Sequence, residues 1–165
     1  MKKSNGVIAL LLVLVMIASL CGCGGEEEKV PAPGTPLDTF YQAILGAQPE
    51  DQDELILFEE SNPDLIANFY PGLDQIALNQ QVFHMPPIVT HPCEIVLVEV
   101  ADAADVQAVA DIFQARIDKG ADMDFYPDSA VGWQRFAQVQ QSGNFVCMIV
   151  LPEGYVIPEN VFAAE

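Results

Sequence analysis

The residues that most restrict this fold are those taken out of it. Residues 7–20 form an almost unbroken apolar run behind Lys2 and Lys3, with Ser19 its single polar member. At about 14 residues the run falls short of the ~20 that cross a bilayer as a helix, and it has the length of an export-leader core. Residues 24–36 read GGEEEKVPAPGTP. Three prolines, three consecutive glutamates and no periodicity mark a linker. The expected organisation is a leader over residues 1–22, a tether over 23–36, and one domain over 37–165. That length can bury a single core.

Leu20, three positions before Cys23, and Gly22, directly before it, resemble the cleavage box of a bacterial lipoprotein. Cys21 fits less well, because bulky Leu20 would sit immediately before the cut. The resemblance implies diacylglyceryl attachment to Cys23, loss of residues 1–22, and residence on the outer face of the cytoplasmic membrane. The formal net charge is −18, and Lys2 and Lys3 would leave with the leader. Such a surface repels nucleic-acid phosphates and sets a nucleic-acid role aside. It suits a cationic or envelope-protein partner, and equally suits plain solubility. Cys93 and Cys147 then remain in the domain. Two cysteines are no disulfide framework, so separate buried thiols and a single bridge both stay open.

Along the domain, Asp38 is placed to cap a helix running to about Ala47, with Phe40, Ala43, Ile44 and Ala47 on one stripe. Residues 55–58 read as a helical turn or two. Asn62-Pro63 is a helix start that must stop before Pro71-Gly72. Residues 80–85 lean towards a strand, ended by Pro86-Pro87. Residues 94–100, EIVLVEV, are rich in β-branched side chains and predict a largely buried strand. A long helix follows, capped by Asp102, closed behind Lys119 by Gly120, and facing a core with Val106, Val109, Ala110, Phe113 and Ile117. Residues 135–141 and 145–151, joined across Ser142-Gly143-Asn144, predict a hairpin. The order implies α+β: an antiparallel sheet of about four strands with helices mainly on one face.

Several phrases, in order, carry a family resemblance: Met85-Pro86-Pro87, Pro92-Cys93-Glu94-Ile95, Leu97-Val98-Glu99-Val100, Phe113-Gln114-Ala115-Arg116-Ile117-Asp118, Tyr126-Pro127, Trp133 and Ser142-Gly143-Asn144-Phe145-Val146. Together they resemble a family of small exported lipoproteins of Gram-positive anaerobes, catalogued as a domain of unknown function. The resemblance runs from about residue 37 to residue 151. It implies an envelope location and one α+β domain, and it supplies no activity or catalytic residues. Phe145 stands where that family usually has tyrosine.

Three groups of residues could carry chemistry. His84, His91 and Cys93 offer imidazole and thiolate donors for zinc or copper; residues 91 and 93 of an extended chain point the same way. The competing reading is a loop histidine beside a buried cysteine. A Cys93–His91 nucleophile–base pair, the small-hydrolase reading, lacks an orienting third residue. Asp122, Asp124 and Asp128 begin like a calcium loop, but Pro127 stands where glycine should turn the chain and no closing glutamate follows. A solvated acidic loop is the alternative. Phe125, Tyr126 and Trp133 beside these carboxylates suit a sugar, amine or basic peptide, or else cap one end of a sheet. The resulting expectation is a lipid-anchored, non-enzymatic binding or accessory module without cofactor. A metal-binding envelope protein and a small hydrolase are the rivals.

Overall fold

A computed structural model of the protein describes residues 30–88 and 91–163; Cys23 and the leader lie outside them. The order of elements is α1 (Leu37–Gly46), β1 (Phe58–Glu59), α2 (Pro63–Phe69), β2 (Leu78–Met85), β3 (Glu94–Val100), α3 (Val106–Ala121), α4 (Pro127–Phe136), β4 (Ala137–Ser142) and β5 (Phe145–Val150). The strands form one antiparallel sheet in the order β1-β2-β3-β5-β4. The α+β expectation holds, with a fifth strand added. Phe58, read from sequence as the end of a helical turn, pairs instead with Met85, and Glu59 with His84. Among the described residues no helix is long and apolar enough to cross a membrane.

Every residue of β3 and β5 is buried, because both faces of the central sheet are covered. Val96, Val98 and Val100 join Val146, Met148 and Val150 under α3, α4 and α2. Ile95 and Leu97 join Cys147 and Ile149 under α1 and the C-terminal segment. This two-sided burial explains why β3 reads as a continuous apolar run rather than an alternation. Glutamine side chains pin the second cover. Gln48 Nε2 donates to Val156 O at 2.9 Å while its Oε1 accepts from Val156 N at 2.9 Å. Gln140 does the same to Pro158 O and Val161 N.

Several local expectations shift. The position before α1 is Pro36, without a side-chain cap, and Asp38 lies in the first turn. Asn62 caps α2 as expected, accepting from Asp64 N at 3.0 Å. Asp102 caps a short 3₁₀ turn, residues Ala103–Asp105, that leads into α3. Gly120 does not end α3. It lies inside the helix, where a Cβ would collide with the Trp133 ring. Trp133 accordingly belongs to α4 and is fully buried. Residues 30–36, read as tether, pack on the domain. Gly34 N donates to Glu99 Oε1 at 2.9 Å and Thr35 O accepts from Gln80 at 3.0 Å. Cys93 and Cys147 are separate, buried, free thiols.

Candidate functional site

Pro86 and Pro87 cannot donate to a ladder, so β2 ends there and the chain loops back to start β3 at Glu94. Within the loop His91 N donates to Ile88 O at 3.0 Å and Cys93 N to His91 O at 2.9 Å. Pro92 lies against α4, where a Cβ on Gly132 would come within 2.5 Å of its Cγ. Residues 91–93 are thus held between the sheet and α4, with His91 exposed to solvent.

Two clefts flank this histidine. One, of about 240 Å³, is lined by Ile56, Pro86, Ile88, His91, Cys93 and Tyr155. The other, of about 390 Å³, lies among His91, Pro92, Phe125, Tyr126, Asp128 and Ser129. Phe125 is 93% exposed, Ile56 68% and Ile88 57%. These three exposed apolar side chains are not scattered: they gather around the two adjoining clefts that share His91. Small-molecule pockets occupy roughly 300–1,000 Å³ and enclose most of their ligand; the first cleft falls below that range and the second near its lower bound. Asp128 and Glu54 supply negative charge at their margins.

The structure brings His91, Phe125, Tyr126 and Asp128 together, and it draws in Cys93 from the other side. It takes Trp133 into the core. His84 lies on the α1 face of β2, stacked on the Tyr41 ring with centroids 3.7 Å apart. Burial lowers its pKa, against the opposing charges of Glu59 and Asp38. Asp122 ends α3 and Asp124 stands exposed in the turn before α4. Among the described residues no group of three or more His, Cys, Asp or Glu side chains converges as a metal site. Burial, aided by the Glu94 charge, pushes the Cys93 thiol up to about 11. A thiol held protonated at neutral pH is a poor nucleophile and a poor ligand.

Beneath the clefts sits a buried polar group that the sequence stripe concealed. Glu94, at the start of β3, pairs with Arg116 of α3, whose Nε donates to Glu94 Oε2 at 3.2 Å. Tyr70 Oη donates to the same oxygen at 2.9 Å. The Arg116 guanidinium lies 4.3 Å from the Trp133 ring centroid and 5.2 Å from that of Phe69. Burial raises the Glu94 pKa, while Arg116 and the Tyr70 hydroxyl pull it back down. The signal available was Arg116 itself, one basic residue beside Phe113 and Ile117 on a core-facing stripe.

Fold and surface define a small sheet domain, covered on both faces, with a cleft-bearing apolar end. The chain belongs to the family described as Domain of unknown function (DUF4358), whose family model matches residues 58–151. The match takes in all five strands and the helices α2, α3 and α4; α1 and the C-terminal segment fall outside it. No curated protein and no solved structure matches the chain.

Proposed function

We propose that this protein is a non-enzymatic binding module of the cell envelope, held on the outer face of the cytoplasmic membrane by acyl chains on Cys23. Its working surface is the pair of clefts flanking His91, and its partner is an envelope protein offering apolar side chains with basic neighbours. One observation carries this reading: the exposed Ile56, Ile88 and Phe125 gather at the Glu94 end of β3. The described chain enters at the opposite end, where Val30 lies against Gly143. Seven residues of β3 separate the ends by roughly 20 Å. A tether arriving at one end would leave the other facing away from the membrane.

Two experiments test the two halves. Mass spectrometry of the native product should find a diacylglyceryl group on Cys23, and Cys23→Ser should release the protein from the membrane; an intact amino terminus contradicts the anchor. For the binding half, the wild-type protein extracted in mild detergent should sediment as a larger complex, and Ile88→Ser with Phe125→Ser should return it to its own mass. Turnover of a cell-wall or peptide substrate, abolished by one substitution, would overturn the non-enzymatic reading.

A further inference from the structure

A second surface lies at the edge of the sheet, away from His91. β1 is two residues long, and after Glu60 N donates to Phe83 O at 2.8 Å the chain leaves the sheet for α2. In an antiparallel strand a residue's N–H and C=O point to the same side, and alternate residues share that side. The Phe83 carbonyl faces outward, so the backbone of Gln81 faces outward as well. No described strand lies opposite Gln81. Beside this open edge runs a groove of about 420 Å³, floored by Ile66, Leu73 and Ile76 and walled by Pro63, Asp74 and Gln81. An open strand edge beside a helix-walled apolar groove is the geometry in which extended peptides add as a further strand.

We propose that the β2 edge binds an extended peptide of alternating apolar and basic residues, which continues β1 past Glu60. Ladder bonds to Gln81 hold its backbone and the Ile66–Leu73–Ile76 floor takes every second side chain. The basic residues meet Asp74, which lines the groove and already accepts from Gln75, and the Asp64 and Glu60 carboxylates close to Pro63 in the chain. The same charges argue against a second copy of this chain, since edge-to-edge pairing would bring those carboxylates together. The site does not depend on the clefts at His91.

The test uses the full chain in detergent micelles and a capped Lys-Val-Lys-Val-Lys-Val peptide. The peptide should bind at submillimolar concentration and shift amide resonances of residues 78–82. N-methylation of alternate peptide amides should weaken it about tenfold or more, and a Glu-Val counterpart should not bind. Gln81→Pro removes one outward N–H from an edge position where proline is tolerated, so it should weaken binding about as much while leaving Tm within a few degrees. Phe125→Ser should leave peptide binding unchanged. Should Gln81→Pro fail to fold, the N-methylated peptide on the wild-type chain decides alone. Equal binding of the parent and N-methylated peptides would reduce the interaction to unspecific charge and overturn the proposal. So would no binding at 1 mM, on the order of the weakest affinity worth ~4 kcal/mol. Conversion of a dimer to a monomer by Gln81→Pro would make the edge a self-interface and overturn it too.

Discussion

β3 carries one buried glutamate at each end, and the two serve opposite purposes. Glu99, on the α1 face, accepts from Gly34 N and from Gln80, and so fastens the incoming chain across its end of the sheet. Glu94, on the helix-layer face, locks Arg116 and Tyr70. It thereby makes rigid the ground under a loop that leaves Ile88 and His91 open to solvent. One end is closed by hydrogen bonds where the chain arrives. The other is stiffened underneath and left apolar on top. A domain under selection for stability alone would have little reason to keep the second arrangement, because exposed apolar area stabilises nothing until something covers it.

The largest effect should come from the stiffened end. Removing one partner of a buried ion pair strands the other charge, at a cost of about 3–5 kcal/mol, whereas replacing both by apolar groups is often near neutral. Glu94→Leu or Arg116→Met alone should therefore destabilise by about that much in denaturant titration, and the double substitution should recover most of it. A double variant as unstable as either single one would show that the pair does more than hold α3.

Between the ends, the thiols report how tightly the sheet is closed. Burial pushes Cys147 up to about 12 from an ordinary 9.0, and Cys93 to about 11. A raised pKa means that the unfolded chain loses its proton first as pH rises. The stabilisation is thus fully present below pH 9 and is lost as pH climbs through 9 towards 11–12. Tm should fall as pH rises above 9, and Cys147→Val should flatten the fall. Under native conditions a thiol reagent should reach Cys93, beside a cleft, before Cys147.

At the closed end, Glu99→Ala removes the acceptor of the Gly34 amide and one of the two that Gln80 Nε2 has, since Thr35 O remains, a loss of about 1 kcal/mol. Hydrogen exchange at Gly34 should accelerate while α3 stays protected. The smallest effect belongs to the open end. Phe125→Ser should change stability by less than about 0.5 kcal/mol, the range for surface sites that touch little. A larger loss would mean that Phe125 packs within the domain rather than serving an interface.

Sequence was most informative where one physical rule dominated. β3 was legible from end to end because two-sided burial demands an unbroken apolar run, and Asn62-Pro63 because capping and proline at the first helical position agree. Gly120 misled because glycine both ends helices and admits close packing; only the position of Trp133 decides between the two. α4 was hidden because its buried face consists of Ser129, Ala130, Gly132 and Trp133, small residues and one ring rather than an aliphatic stripe. Of the candidate site, Phe125, Tyr126 and Asp128 are neighbours in the chain, whereas His91, read with His84 and Cys93, joins them only where Pro92 packs against Gly132 of α4. Ile56 and Ile88 could not be foreseen, because only the pairing of β1 with β2 brings residues 54–56 beside the 86–93 loop. Arg116 stands beside Phe113 and Ile117 on the core-facing stripe, but nothing in the chain points to its partner, which lies 22 positions away.

The most direct measurement is photo-crosslinking in living cells, with the reactive residue placed either at Phe125 or at Gln141, an exposed residue of β4 near the closed end. One discrete adduct is expected from Phe125, lost on Ile88→Ser, and none from Gln141. Equal adducts from both positions, or none from Phe125, would contradict that expectation.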